Sequence, residues 1–167
     1  MSEVRFVSCD TSTKNSGLTL FVDGKYREHV LINKEEIDDV YQRINAMCID
    51  IYKQLDKWRP DVLWIEHPQG HGKNVSMVGK LCEILGAVRM WCLLNNCECN
   101  EIDPPTWRMY AGIQQGNKKR NDLKQASIEY IKEKLGIDEG DDVADSIALG
   151  YAVINWFSMM EDKKDDY

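Results

Sequence analysis

The sequence predicts an α/β fold: a mixed five-stranded sheet, antiparallel at one hairpin edge and parallel elsewhere, flanked by helices. Three observations predict it. Short apolar, β-branched runs alternate with longer stretches of helical period. Two of the runs, within residues 17–32, meet at Asp23 and Gly24, a pair favoured in two-residue hairpin turns. The later runs are separated by helix-length segments, the spacing of parallel crossovers.

"VRFVSCD" (4–10) reads as a strand ending in an acid. "GLTLFVDGKYREHVLI" (17–32) supplies the hairpin. Residues 35–58 place Ile37, Val40, Tyr41, Ile44, Met47, Cys48, Ile51, Leu55 and Trp58 at helical spacing, and Pro60 ends that helix. "VLWIE" (62–66) is a fully buried strand that also ends in an acid. A helix over 75–94 follows, then a strand over 97–102. "DPPTWRMYAG" (103–112) reads as a break and short turn, and helices over 119–135 and 142–158 complete the order β-β-β-α-β-α-β-α-α. The crossover through 35–58 returns "VLWIE" parallel to a neighbour. If that neighbour is the first strand, Asp10 and Glu66 lie side by side near strand ends, where open α/β sheets put ligands.

The 167 residues read as one domain with a core able to fold alone, closed by a flexible acidic tail over 161–167. No internal repeat or low-complexity linker divides them. The sequence carries no secretory signal pattern, and no apolar run approaches a membrane span. The six cysteines are scattered through apolar patterns, and "CEC" (97–99) lacks the second pair of a zinc site. The expectation is a reduced, soluble protein of the cytoplasm, without a membrane partner. A net charge of −7 weighs mildly against nucleic acid, but the charge is unevenly spread. Residues 104–134 carry seven basic side chains (Arg108, Lys118, Lys119, Arg120, Lys124, Lys132, Lys134) against three acids. The acids concentrate in "KEEIDD" (34–39), in "DEGDDVAD" (138–145) and in the tail.

A helix start favours acids, which explains Asp138, Glu139 and Asp141. It does not explain Asp145, which sits deeper, between Ala144 and Ile147 on a helix that must be largely buried. Asp142 and Asp145, three apart, share a helix face; Asp141 and Asp145, four apart, would share it too, and spacing does not choose. Asp10 and Glu66 each end a run that should be buried, where an unpaired carboxylate is costly. Carboxylates that converge repel one another unless divalent cations lie between them. Oxygen-only donors select Mg²⁺, or Mn²⁺ in its place, over zinc. Two such ions about 4 Å apart are the apparatus of phosphodiester hydrolysis.

Along nearly its whole length the chain resembles the RuvC-type Holliday-junction resolvases, which have an RNase H-like fold. "VSCDTSTKNSGLTLF" is similar to their first acidic strand with its following glycine, and "DVLWIEHP" to the strand that ends in a catalytic Glu. "GKNVSMVGKLCEILGAV" resembles the next helix, "DPPTWRMYAG" the segment that brings a basic residue to the phosphate, and "GDDVADSIALGYA" the final D-x-x-D helix. The resemblance implies catalytic, metal-binding roles for Asp10, Glu66, Asp142 and Asp145, and the D-x-x-D pattern selects Asp142 over Asp141. It implies two Mg²⁺ ions per site and a homodimer on four-way or otherwise branched DNA. Paired nicks would leave 5′-phosphate and 3′-hydroxyl ends, an activity of recombination and repair. Arg108, Lys118, Lys119 and Arg120 are the candidate phosphate contacts, with Lys73 and Asn74 at the entrance of the 75–94 helix beside them. That helix, apolar on more than one side and carrying Gly79 and Gly86, is the candidate dimer surface.

The chain departs from the resemblance after Glu66. Cellular members place an aromatic wedge there, whereas "HPQGHGKN" has none, which points to a broader taste for forks or flaps. A small, acidic, loosely matching member suits a bacteriophage source. Other readings of the same fold are a non-cleaving branched-DNA binder and an RNase H-like nuclease acting on RNA. "DTSTKNSG" also has a superficial likeness to the phosphate loop of sugar-kinase and actin-type ATP-binding proteins. Those proteins need two such domains and a Gly-rich adenosine motif, which the sequence lacks.

Overall fold

The computed structural model describes residues 3–69 and 75–162. The strands are β1 (Arg5–Asp10), β2 (Asn15–Val22), β3 (Lys25–Asn33), β4 (Val62–Glu66) and β5 (Glu98–Ile102). They form a single sheet in the order β3-β2-β1-β4-β5. β1, β2 and β3 pair antiparallel, whereas β4 pairs parallel with both β1 and β5. This is the mixed sheet that the sequence predicts. The β2–β3 turn has φ of 50° at Asp23 and 71° at Gly24. Two positive φ values in a row match the right-handed twist of the flanking strands, which is why an Asp-Gly pair stands there.

The helices are α1 (Val40–Trp58), α2 (Val75–Leu94), α3 (Pro104–Ala111), α4 (Arg120–Leu135) and α5 (Asp141–Asp162). α1 starts later than its periodicity implies, because Asp39 caps it by accepting a 2.8 Å hydrogen bond from the Gln42 N–H. α3 corrects the expected break over 103–112. Asp103 accepts from the Thr106 N–H at 2.9 Å, prolines fill the first two helical positions, and Gly112 closes the end at φ 77°. α5 continues to Asp162, and residues 163–167 of the expected tail lie outside the described residues.

Alternation along the central strands sorts the core into two layers. Val7, Cys9, Leu63 and Ile65 face α1 and α2, where they meet Met47, Ile51, Leu55, Ile84 and Val88. Phe6, Val62 and Trp64 face the other way, onto Trp107, Ala148, Leu149 and Ala152 of α3 and α5. Asp10 and Glu66 continue this second set by parity, so both carboxylates emerge on the α5 side of the sheet. Cys9 pairs with Ile65, which places the two acids level on neighbouring strands.

α5 lies unusually close to the sheet. A Cβ on Gly150 would fall 2.1 Å from the Phe21 ring and 2.8 Å from Ser8 Oγ. A buried hydroxyl network fixes the register. Ser8 Oγ donates to the Ser146 carbonyl at 2.6 Å, Ser146 Oγ donates to the Val143 carbonyl at 2.9 Å, and Thr19 Oγ1 lies 2.7 Å from Ser146 Oγ. Contrary to the expectation that no apolar run nears a membrane span, α5 is long and apolar enough to cross one over Asp141–Met160. Its apolarity is explained by packing, since 56% of that stretch is buried in the fold.

Candidate metal centre and nucleic-acid cleft

The open end of β1 and β4 forms the floor of a cleft of about 740 Å³, walled by the first turns of α2, by α3 and α4, and by the first turns of α5. Asp10, Glu66, Asp142 and Asp145 all line it, together with Arg108, Arg120 and Lys124. Asp10 and Glu66 arrive from the floor through the strand parity described above. Asp142 and Asp145 arrive from α5, whose first turn crosses β2 at Gly17, the residue paired with Asp10. A Cβ on Gly17 would stand 2.0 Å from the Asp142 carbonyl oxygen, so only glycine allows α5 to bring its acids this near.

The electrostatics are those of crowded acids. Burial pushes the Asp10 carboxyl well above the usual carboxylate range, and the charges of Glu66, Asp145 and Asp142 add to it. Glu66 is raised to about 7, by burial first and by Asp145, against a hydrogen bond from Trp107 and the charges of Arg108 and Arg120. Asp142 is raised to about 6, by burial and then by Asp141 and Asp145, with Lys124 opposing. Burial raises Asp145 too, against the Ser127 hydroxyl first and then the charge of Arg108.

Asp141 and Asp142 have different surroundings. Asp141 is paired with Lys124 of α4 in a charge-assisted hydrogen bond. Both residues are half-buried and both line the cleft with Asp145 and Asp10, so the pairing with Lys124 is what sets Asp141 apart. Asp145 is 7% exposed, and its Oδ1 is buried without a hydrogen-bond partner. The Arg108 guanidinium stands 4.0 Å from Asp145 Oδ2, and its own Nε is also unpartnered. An ion or a water completes buried polar atoms left this way.

The donors are oxygen only, they repel one another, and one of them is orphaned. Asp10, Glu66, Asp142 and Asp145 therefore fit a hard divalent cation. Among the described residues, no three of these side chains are already gathered into a metal-ligand cluster.

The basic candidates separate. Arg108 comes from α3, and Arg120 and Lys124, one helical turn apart on α4, present the same face to the cleft. Lys118 and Lys119 are exposed on the approach to α4 and do not line it. Lys73, Asn74 and the remainder of the 70–74 loop lie outside the described residues. Two contributors escape the sequence reading. Lys124 was visible only as part of a basic segment. Trp107, fully buried, donates its indole N–H to Glu66 Oε2 at 2.7 Å, a contact that no sequence signal announces.

No protein-family model matches the sequence, and no curated protein matches it. Solved structures do match the fold. Thermus thermophilus RuvC in complex with its Holliday junction substrate superposes with a TM-score of 0.71 at 13% identity, covering 93% of this chain and 96% of that one. The yeast mitochondrial Holliday junction resolvase Ydc2 gives 0.62 at 14% identity, over 97% of this chain and 82% of that one. The fowlpox virus resolvase, bound to Holliday junction DNA, gives 0.57 at 15% identity, over 95% and 98% of the two chains. At such identities the likeness is one of fold. The chain has the RuvC-type, RNase H-like fold over nearly its whole length.

Proposed function

We propose that the protein is a divalent-metal-dependent endodeoxyribonuclease that resolves Holliday junctions and cuts other branched DNA by paired strand nicks. The observation that carries this reading is the convergence of four buried or half-buried carboxylates with Arg108, Arg120 and Lys124 in one cleft. The similarity in fold to junction-bound resolvases supports the choice of substrate.

In this reading Asp10, Glu66, Asp142 and Asp145 hold two Mg²⁺ ions, for which Mn²⁺ can substitute. Bound there, the ions supply a nucleophile at neutral pH and stabilise the charge that develops on the leaving oxygen. Arg108, held between Trp107 and Asp145, offers its guanidinium to the scissile phosphate. Arg120 and Lys124 carry the positive face along the cleft wall and orient the strand. Lys118 and Lys119, beyond the rim, add backbone affinity without sequence readout. The products are a 5′-phosphate and a 3′-hydroxyl.

The homodimer belongs to the same proposal. α2 buries Ile84, Leu85, Val88, Trp91 and Cys92 yet leaves Val75, Met90, Leu93 and Leu94 exposed. Nothing lies within 4 Å of a Cβ placed on Gly79 or Gly86. A helix this apolar on its outer face is suited to a second copy of the chain, which would set two cleavage sites on one junction.

The test is cleavage of a labelled four-way junction, a replication fork, a linear duplex and an RNA–DNA hybrid in Mg²⁺. Symmetric nicks in the junction, with weaker cutting of forks and none of linear duplex, are expected. Preference for the hybrid would make the enzyme an RNA-directed nuclease. Junction binding without cutting in either Mg²⁺ or Mn²⁺ would leave only a DNA-binding protein.

A further inference from the structure

Trp107 is fully buried, yet its one polar atom points at a carboxylate of the candidate metal centre. We propose that Trp107 is a positioning residue: its indole N–H fixes Glu66 in the orientation that binds a divalent cation, and its ring supports the Arg108 guanidinium beside it. This inference rests on the metal-dependent reading of the cleft and deepens it.

The chemistry of the donor matters. An indole N–H only donates and carries no charge. It can therefore hold Glu66 Oε2 at 2.7 Å without adding a cation that would compete with a metal ion for the same carboxylate. With Oε2 engaged, the rotation of the carboxyl group is restricted and Oε1 is left for the cleft. The opposite face of the arrangement serves Arg108, whose guanidinium carbon lies 4.7 Å from the Trp107 ring centroid. One side chain thus sets both an acid and a base of the site.

The geometry is built to hold. α3 is capped at its start by Asp103 and at its end by Gly112. Asn155 Nδ2 of α5 donates to the Tyr110 carbonyl at 3.0 Å, tying α3 to the helix that carries Asp142 and Asp145. Trp107 is fully buried in the same cluster as Trp64, Ile102, Ala148 and Leu149. Second partners of metal ligands commonly change affinity or activity about 10–100-fold when removed.

The test uses Mn²⁺ as the probe on the full chain. Mn²⁺ affinity, read from the loss of the free-ion paramagnetic resonance signal, is expected to fall about 10–100-fold in Trp107→Phe, while junction binding in EDTA is retained. In the wild type, one of the five indole N–H resonances should be broadened by Mn²⁺ first, and the same resonance should move in Glu66→Gln. Those spectra decide the matter if Trp107→Phe does not fold. Unchanged Mn²⁺ affinity in a folded Trp107→Phe protein, or no indole resonance that responds to both Mn²⁺ and Glu66→Gln, overturns the proposal. A wild type that binds no Mn²⁺ overturns this inference and the functional reading together. Mn²⁺ binding that weakens in Trp107→Phe, in a protein that cuts no DNA, upholds the role of Trp107 and overturns only the nuclease reading.

Discussion

Gly17 and Asp142 meet backbone to backbone: a Cβ on Gly17 would lie 2.0 Å from the Asp142 carbonyl oxygen and 3.1 Å from Ser146 Oγ. One missing methyl group thus sets how closely α5 approaches the strand that pairs with Asp10. Gly17→Ala must displace the first turn of α5, and with it two of the four carboxylates. We expect a loss of about 1–3 kcal/mol in urea unfolding. Cleavage should fall more steeply than stability, because misplacement of about 1 Å can cost a hundredfold. A Gly17→Ala protein with wild-type cleavage would show that α5 is not positioned by this contact.

The hydroxyl network deeper along α5 has a different signature. Ser146→Ala leaves the Thr19 hydroxyl, buried at 0% exposure, without its partner. Its expected cost is about 1–3 kcal/mol, measured by urea denaturation. Replacing Thr19 by Val as well should cost less than the two single changes summed, since the network is lost only once. Additive effects would mean that the two hydroxyls do not act together.

Crowding of acids sets a pH dependence. Glu66 is raised to about 7 and Asp142 to about 6 in the fold, above their ordinary values. The folded protein therefore holds protons that the unfolded chain releases, so these two carboxyls favour the fold most below about pH 4, and that contribution is lost as pH rises through 6 and 7. For Glu66 the loss is on the order of 3 kcal/mol at most. Melting in EDTA should occur at lower temperature at pH 8 than at pH 5, and Glu66→Gln should narrow the difference. Mg²⁺ at pH 8 should recover it by binding the folded state. Equal melting temperatures at the two pH values would contradict the picture of repelling carboxylates.

The basic residues should divide by function. Arg108→Ala, inside the cleft, is expected to reduce the rate of cleavage about 10²–10³-fold with little change in junction affinity. Lys118→Ala and Lys119→Ala should leave the rate on saturated enzyme intact and weaken binding. Each would lower the salt dependence of affinity by about one unit. Titrations at several salt concentrations, beside single-turnover rates, separate the two classes.

Much of this was legible in the sequence, for specific reasons. The apolar runs "VRFVSCD" and "VLWIE" read as strands that each end in an acid, side by side if the two strands are neighbours, and Asp23–Gly24 announces the hairpin; the parallel pairing of β1 with β4 meets that condition. α3 was legible in principle, since an Asp followed by two prolines is a helix start, but eight residues give too little periodicity to outweigh the prolines as breakers. Which of Asp141 and Asp142 faces the cleft unpaired depends on Lys124, seventeen residues away on another helix. That Arg120 rather than Lys118 or Lys119 enters the cleft depends on where α4 begins, a boundary that spacing leaves uncertain by a residue. The bond from Trp107 to Glu66 spans forty-one positions and arises only when α3 docks against α5.

The most direct test of the account is single-turnover cleavage of a labelled four-way junction by the wild type and by Asp145→Asn, each in Mg²⁺ and in EDTA. The account predicts paired nicks by the wild type in Mg²⁺ alone, and none by Asp145→Asn, which still binds the junction. Cleavage by Asp145→Asn at the wild-type rate, or by the wild type in EDTA, would contradict the central claim that these carboxylates form a metal-dependent nuclease centre.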